Sequence, residues 1–279
     1  MAVRIITDST SDIGLKQAKE LGVDILPLTV HFGQEEYLDG VNLTNEMFYE
    51  KLLTSEELPT TSQITVTTFE TVFNEIVKEG DEAVVILIAS KLSGTCQSAM
   101  IARNMVSPKR IRVIDSETVT FGLGVAVREA VRLRDLGMSA TEIAEELERI
   151  KKNIWLLAYI DDLTYLQKGG RLSATSAFFG TLLGIKPIIE VKDGEVRLVH
   201  KERGLKNAFS WIIDTVKKTG IDLSRPYSFG HTNNPQLAKE FIAQFTEEIS
   251  LPQTPLSDIG TVVGTHVGAG CTGFAFFKK

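Results

Sequence analysis

Apolar runs of strand length alternate with segments of helical periodicity through the first half of the chain. The run Ala83–Ala89 is continuous and rich in Val and Ile, which predicts a strand buried on both faces. It leads through Ser90–Thr95 into apolar residues at helical spacing from Ala99 to Met105. Because parallel strands need crossovers of this length, the alternation predicts a mostly parallel sheet with helices on both faces. The other predicted strands of this half are Val3–Thr7, Asp24–Phe32 and Lys109–Asp115.

Capping residues give the expected helix boundaries. Thr67–Glu70 and Ser139–Glu142 have the spacing of capping boxes, in which the first hydroxyl and the fourth carboxylate bond to each other's backbone N–H groups. Thr44 is the predicted cap of a helix that runs through Leu53. The polar stretch Leu58–Gln63 is predicted to be a loop.

The second half has a different pattern. Asp193-Gly194 separates two alternating segments, which is a strong signal for a β-hairpin. The final segment, Thr261–Phe277, is predicted to join a glycine-rich loop to an apolar terminal strand. A hairpin among helices predicts an α+β domain.

The chain length fits two domains. Its 279 residues exceed the size of one small core, and we expect an α/β domain over 1–156 and an α+β domain over 157–279. Part of 60–80 is expected to pack on the second domain. The sequence contains no linker of low complexity, so the expected interface is wide, and a cleft between two domains is a natural ligand site.

Composition and charge restrict the function classes. With 43% hydrophobic and 24% charged residues and a formal charge of −6, the chain has the character of a soluble globular protein and argues against nucleic acid as the main partner. A signal-peptide pattern and a membrane-length apolar run are both lacking, so a cytoplasmic location is expected. Cys96 and Cys271 lack metal-ligand spacing and are predicted to be ordinary small side chains; Cys96 as a nucleophile is the disfavoured reading.

The loop Ser90–Thr95 is the first candidate for chemistry. It follows a buried strand and precedes a helix, so unpaired backbone N–H groups and the positive end of the helix dipole are available to an anion there. Ser93 and Thr95 add hydroxyl groups. The alternative is that one of these hydroxyls only caps the helix.

Six short motifs, taken together, resemble the DegV family from end to end. These are bacterial fatty-acid-binding proteins that include FakB, the lipid-carrying subunit of a fatty acid kinase. The resemblance implies a DegV-like two-domain fold, a mostly parallel α/β sandwich plus an α+β domain, with one fatty acid buried between them. The motifs are Asp8–Asp12, Pro59–Gln63, Ser93–Ala99, Lys168–Ser173, Gly184–Ile188 and Gly264–Gly270.

The resemblance also implies site residues. Thr61, Ser93 and His266 match the positions that hold the fatty-acid carboxylate in the family. Two hydroxyls and an imidazole can replace the water that a buried carboxylate loses. The residues implied to lie near the head group or to contact a partner are Ser62, Gly94, Thr95, Arg171 and Arg203.

An apolar segment between Ala174 and Ile189 could line an acyl tunnel. At about 0.8 kcal/mol per buried CH₂, a long chain would provide most of the affinity. The alternative for each of these side chains is that it belongs only to the core. The candidates are Phe178, Phe179, Leu182, Leu183, Ile185, Ile188 and Ile189.

By likeness to FakB, the expected function is that of a lipid carrier rather than an enzyme. It would present the carboxylate to a separate ATP-binding subunit related to dihydroxyacetone kinases, which forms the acyl phosphate, with no cofactor of its own and with transient membrane contact. Lys168–Arg171 lacks the spacing of a Walker loop, so a nucleotide site is disfavoured.

Two alternatives remain open. One is a serine hydrolase that acts on acyl esters through Ser93 with His231 or His266 and an Asp, although the segment around Ser93 lacks the Gly-x-Ser-x-Gly pattern. The other is a structural or regulatory protein without a ligand.

Overall fold

The computed structural model describes residues 2–55, 57–173 and 184–279. Two short 3₁₀ segments, Ser9–Ser11 and Lys151–Asn153, accompany the strands and α-helices. The strands are β1 (Val3–Asp8), β2 (Val23–Leu26), β3 (Thr29–Phe32), β4 (Glu35–Leu38), β5 (Thr60–Ser62), β6 (Glu82–Leu87), β7 (Ile111–Asp115), β8 (Ile154–Tyr159), β9 (Ile185–Lys192), β10 (Glu195–Arg203), β11 (Ser228–His231), β12 (Leu256–Asp258) and β13 (Thr272–Phe277). The helices are α1 (Leu15–Leu21), α2 (Asn45–Thr54), α3 (Val66–Glu79), α4 (Thr95–Val106), α5 (Phe121–Asp135), α6 (Ala140–Ile150), α7 (Thr164–Lys168), α8 (Leu205–Thr219), α9 (Pro235–Glu248) and α10 (Thr261–Val267).

The first sheet is parallel throughout, in the order β2-β1-β6-β7. Alternate residues of β6 enter two different cores: Val84 and Ile86 pack on the side of α5 and α6, whereas Val85 and Leu87 pack on the side of α3 and α4. Successive side chains of a strand point to opposite faces, so this strand is buried on both sides. The prediction of a mostly parallel sheet between helical layers is confirmed.

The second sheet has six strands in the order β10-β9-β8-β13-β11-β12, and all its pairs except β11–β12 are antiparallel. The predicted hairpin is confirmed: β9 and β10 pair directly, and Asp193 and Gly194 have φ values of 52° and 77°. Positive φ at both central residues is the requirement of the turn that matches the strand twist. The last strand in sequence, β13, lies in the middle of this sheet.

A small third sheet has the order β4-β3-β5, and two of the predicted elements differ from the structure here. The expected strand Asp24–Phe32 is two strands, β2 and β3, in different sheets, and the break includes Pro27, which has no N–H to donate to a ladder. The expected loop Leu58–Gln63 contains β5, which pairs with β3 so that Thr61 lies opposite Val30. A three-residue strand is too short to give a periodic pattern.

The prediction of a glycine-rich loop after Thr261 was wrong, because Thr261–Val267 forms α10. The backbone N–H groups of Gly260 and Thr261, at the start of α10, donate to the carboxylates of Asp12 and Asp39, respectively. These capping partners lie more than two hundred positions away, so no local pattern marks them.

One of the two capping boxes was placed incorrectly. Helix α3 begins at Val66, and its cap is Thr65, two residues before the predicted cap Thr67; Thr65 accepts a hydrogen bond of 3.2 Å from the N–H of Thr68. The second box is confirmed: Ser139 and Glu142 bond reciprocally at the start of α6. Thr65 and Thr67 both carry a hydroxyl suitable for capping, so the sequence alone did not determine which of them starts α3.

Helix α5 packs against strands of both large sheets. The expected boundary after residue 156 falls inside β8, which pairs with β9 and β13 of the second sheet. The division into two domains at that point stays a prediction. None of the helices in the described ranges is long and apolar enough to cross a membrane.

Candidate functional site

An inner cavity of about 310 Å³ lies where β5, the loop before α4 and helix α10 meet. One end of it is polar and the rest of its wall is apolar. The polar end is formed by Thr61, Ser62, Gln63, Ser93, Gly94, Arg171 and His266, and the apolar wall by Leu28, Ile88, Leu92, Val119, Leu166, Val196, Val262, Val263 and Val267.

The polar end is held together by a contact between Thr61 and His266, whose Oγ1 and Nε2 atoms lie 3.0 Å apart. The other ring nitrogen, Nδ1, is buried and has no hydrogen-bond partner among the described residues. A Cβ atom on Gly169 would lie 2.5 Å from this nitrogen, so the ring is packed directly against the glycine backbone. Burial, together with the Arg171 cation, lowers the pKa of His266 to about 4, and the imidazole is therefore neutral near pH 7.

Ser93 has two structural relationships. Its Oγ accepts a hydrogen bond of 3.3 Å from the N–H of Thr95, the first residue of α4, and lies 2.9 Å from the hydroxyl of Thr95, although the N-cap position of the helix is Gly94. Ser93 also lines the cavity, whereas Thr95 lies behind it, fully buried. Ser93 can therefore bond to the first residue of α4 and still face a ligand in the cavity.

The neighbouring residues fix the shape of this corner. A Cβ atom on Gly94 would lie 1.9 Å from Oε1 of Gln63, so only glycine allows this side chain to cross the loop. Gln63 in turn donates to Oγ of Ser98 at 2.8 Å. The hydroxyl of Ser62 lies 2.7 Å from Nε2 of His31.

Arg171 supplies positive charge to the polar end. Its guanidinium donates to the carbonyl oxygens of Gly169, at 2.6 Å, and Leu92, at 3.3 Å. Both partners are neutral acceptors, so these bonds hold the guanidinium in place without neutralising its charge. A cation held in this way at a cavity wall attracts an anionic group.

A second, outer cavity of about 510 Å³ adjoins the polar end. Thr61, Arg171 and His266 line both cavities. The three side chains therefore lie at the boundary between an inner space that is mostly apolar and an outer space that is not. The outer cavity is also lined by Glu57, Leu58, Pro59, Thr60, Tyr165, Lys168, Gly169 and Thr265.

A small apolar chamber of about 30 Å³ adjoins the opposite, apolar part of the inner cavity. The two spaces share the side chains of Val119, Leu166, Val196, Val263 and Val267. The remaining chamber wall consists of Thr120, Phe121, Leu156, Ala158, Ile160, Ile189, Val191, Ile259 and Cys271.

The structure brings most of the predicted site residues together, but not all. Arg203 is exposed at the end of β10 and lines none of these three cavities. Ile188 lies in the aromatic core on the other face of the second sheet, and Ile185 is half-buried at the start of β9. Ile189 does line the small chamber. The tunnel candidates Phe178, Phe179, Leu182 and Leu183 lie outside the described residues.

Sequence reasoning missed the apolar wall that α10 supplies. Val262, Val263 and Val267 all face the inner cavity, and their spacing on α10 is the signal that the prediction of a loop obscured. Val119 and Val196 come from a loop and from β10, and only the tertiary structure brings them together.

The geometry does not resemble a hydrolase triad. His266 bonds to Thr61, whereas the hydroxyl of Ser93 bonds to Thr95. The orienting carboxylate that a triad needs at Nδ1 of the histidine is absent among the described residues. The other candidate, His231, has its Nδ1 3.6 Å from Oδ1 of Asp258 and does not line the inner cavity.

The cysteines are also poorly suited to catalysis. Cys96 and Cys271 are buried and unpaired, and burial raises the pKa of each thiol to about 12. In the part of the chain that the structure describes, no group of three or more His, Cys, Asp or Glu side chains is placed to hold a metal ion.

A cavity with one polar end and an apolar wall is typical of a protein that binds an amphipathic ligand. The family described as "Uncharacterised protein, DegV family" matches residues 2–279. The chain belongs to the DegV family, as its motifs indicated.

Similar proteins cover the whole chain. A DegV domain-containing protein of Caldanaerobacter subterraneus subsp. tengcongensis is 39% identical over 278 residues, with 99% of both chains covered. A fatty-acid-binding DegV family protein from Thermus thermophilus has 29% identity and a TM-score of 0.91, with 100% of both chains covered. DegV of Bacillus subtilis, described as a fatty acid binding protein, has 31% identity and a TM-score of 0.86, also with 100% of both chains covered.

Proposed function

We propose that this protein binds one long-chain fatty acid, with the acyl chain in the inner cavity and the carboxylate at Thr61, Ser93 and His266. The observation that carries the proposal is that these three side chains and Arg171 all belong to the polar end of a cavity whose remaining wall is apolar. The fatty-acid-binding relatives from Thermus thermophilus and Bacillus subtilis support it, since both match the full length of this chain.

The polar end matches the needs of a carboxylate. A carboxylate that leaves water requires donors, and the hydroxyls of Thr61 and Ser93 can supply them when Nε2–H of the neutral His266 donates to Oγ1 of Thr61. The guanidinium of Arg171 offsets the negative charge across the same wall. The acyl chain contributes about 0.8 kcal/mol for each CH₂ that it removes from water, so the tail provides most of the affinity.

The outer cavity gives the bound carboxylate a route to a partner. Thr61, Arg171 and His266 line both cavities, so a carboxylate held there lies at their boundary. We propose that a separate ATP-binding kinase subunit, related to dihydroxyacetone kinases, reaches the carboxylate from the outer side and forms an acyl phosphate. In this proposal the chain is a carrier without a cofactor of its own, acts in the cytoplasm and exchanges its fatty acid during transient membrane contact.

Two arginines have different roles in this proposal. Arg171, at the boundary of the cavities, stabilises the additional negative charge of the acyl phosphate. Arg203 is exposed and lines neither cavity, so its contribution would be docking of the kinase.

The first test is the identity of the ligand. The protein purified from cells is analysed by native mass spectrometry and then denatured, and the released lipid is identified. We expect one fatty acid per chain, which returns in a one-to-one titration after delipidation. A protein that neither contains nor rebinds a fatty acid would contradict the proposal, and steady hydrolysis of an acyl ester that is lost in Ser93→Ala would favour the hydrolase.

A further inference from the structure

We propose that the small apolar chamber receives the methyl end of the acyl chain, and that Leu156 and Ala158 of β8 set the longest chain that fits. The inference rests on the proposed function and adds to it a determinant of chain length. The chamber lies beyond the apolar wall of the inner cavity, because the side chains that the two spaces share are apolar and none of the polar-end residues lines the chamber.

The chamber and the inner cavity share part of their walls. Five side chains form part of both walls, and they come from the segment before α5, from α7, from β10 and from α10. A volume of about 30 Å³ holds only one or two groups the size of a water molecule. It is therefore too small for a separate ligand, but it suits the last methyl or methylene groups of a chain that enters from the inner cavity.

The chamber is unfavourable for water. Among the described residues that line it, Thr120 is the only one with a hydroxyl, and that hydroxyl donates to the carboxylate of Asp12. A water molecule placed there would lack the two to four polar partners that a buried water needs. A shorter fatty acid would thus leave the chamber empty and lose the contacts that a longer one makes.

The wall formed by β8 has little freedom to move. The strand lies between β9 and β13 and is paired on both sides, with Leu156 opposite Val191 and Ala275. Leu156 and Ala158 are 2% and 1% exposed. A Cβ atom on Gly273 would lie 2.7 Å from that of Ala158, so the neighbouring strand is already in close contact. A chain that is too long would therefore meet a rigid wall.

The two faces of β8 provide a matched control. Leu156 and Ala158 point into the core that contains the chamber, whereas Leu157 is equally buried but points into the aromatic core on the opposite face. Leu156→Ala and Leu157→Ala remove the same atoms from adjacent positions. Only the first enlarges the ligand path.

The test measures chain-length preference. Delipidated wild type, Leu156→Ala, Ala158→Val and Leu157→Ala are each mixed with an equimolar series of saturated fatty acids that differ by one carbon, and the bound species are counted by native mass spectrometry. We expect Leu156→Ala to shift the preferred acid to longer chains and Ala158→Val to shift it to shorter ones. Each methylene gained or lost should change relative affinity about fourfold. Leu157→Ala should keep the wild-type profile, and thermal melting verifies that each variant is folded.

The outcomes separate this inference from the proposed function. Wild type that binds no fatty acid would overturn both. Wild type that binds, with the same profile in Leu156→Ala as in Leu157→Ala, would overturn the chain-length determinant and leave the carrier function intact.

Discussion

The hydroxyl of Thr61 and the imidazole Nε2 of His266 lie 3.0 Å apart although 205 positions separate them in the chain. Thr61 belongs to a three-stranded sheet and His266 to the last turn of a helix near the end of the sequence. The contact fixes both groups relative to each other at the wall of the same cavity. A carboxylate that binds there meets donors that are already in position, which lowers the entropic cost of binding.

Loss of either carboxylate-site hydroxyl should weaken binding without unfolding the protein. A hydrogen bond to a charged group is worth about 1.5–3 kcal/mol, so Thr61→Ala and Ser93→Ala should each raise the Kd for a fatty acid about 10- to 150-fold. Titration of the delipidated protein measures the effect. Thr71→Ala is the control, because Thr71 is exposed on α3 and its hydroxyl bonds within that helix. A double variant with the wild-type Kd would place the head group elsewhere.

Gly169→Ala should disturb the site by displacing His266. The new Cβ atom would lie 2.5 Å from Nδ1 of the imidazole, so the ring must move and its contact with Thr61 is lost. We expect weaker fatty-acid binding, again measured by titration, with a melting temperature close to that of the wild type. Gly14→Ala is a matched control, since nothing lies within 4 Å of the added atom. Unchanged affinity in Gly169→Ala would show that the position of His266 is irrelevant to the ligand.

His266 should make the ligand-free protein less stable in mild acid. Its pKa is about 4 in the folded protein and ordinarily 6.5, so the unfolded chain binds more protons between these values, and the free energy of unfolding falls as pH decreases from 6.5 toward 4. His266→Gln lacks this dependence. Between pH 7 and pH 5, the wild type should lose about 2 kcal/mol relative to the variant in urea titrations.

A second buried group, Asp8, changes the free energy of unfolding with pH in the opposite direction, and the comparison between wild type and His266→Gln cancels its contribution. Burial raises the pKa of Asp8 to about 6, so the folded protein binds a proton there more readily, and this group destabilises the fold as pH rises between about 4 and 6. The contribution is present in both proteins and cancels in the difference. Parallel pH profiles for the two proteins would refute the low pKa of His266.

Glu129 should be important for stability although it lies far from the proposed site. It is fully buried on α5, and its carboxylate accepts hydrogen bonds from Arg132 and Arg225. Glu129→Ala removes this partner from Arg225, whose side chain is 18% exposed and which keeps Glu146 and Asp222 as ion-pair partners, so we expect a loss of about 1–3 kcal/mol. Urea unfolding of Glu129→Ala and of Glu75→Ala, an exposed glutamate on α3, tests this. Equal stability of the two variants would contradict it.

Variants of Arg171 and Arg203 should affect the kinase reaction in different ways. With the lipid-loaded protein, the kinase of its own organism and ATP, Arg171→Ala should lower the rate of acyl phosphate formation at saturating kinase. Arg203→Glu should instead require more kinase for the same rate, with unchanged fatty-acid affinity. Lys239→Glu, the same charge change at an exposed position on α9, is the control. If wild type yields no acyl phosphate, the presentation role fails and fatty-acid binding stands alone.

Local signals in the sequence were sufficient where the structure is determined locally. Asp193-Gly194 specified its hairpin because the turn itself needs positive φ, and Ser139 and Glu142 specified a helix start because both partners lie within one turn. The buried run of β6 was equally clear from its composition.

The wrong predictions concern elements whose stabilising partners are distant. Helix α10 contains Gly264, where a Cβ atom would lie 2.9 Å from both Phe48 and Tyr49, so this glycine serves close packing rather than a turn. Its cap comes from Asp12 and Asp39. The carboxylate-site residues were proposed from motifs shared with a family, since nothing local predicts that Thr61 and His266 meet. The apolar wall, contributed by side chains from several elements, could not be derived in that way.

The position of β13 has a consequence for synthesis of the protein. A ribosome delivers β13 after β8 and β11, yet β13 lies between these two strands. Thr272 of β13 pairs with His231 of β11, and Phe276 pairs with Trp155 of β8. Until it emerges, β8 and β11 have open edges that can pair with other nascent chains. The second sheet therefore closes only after β13 has been synthesised, and a chain that stalls before Thr272 is a natural substrate for chaperones.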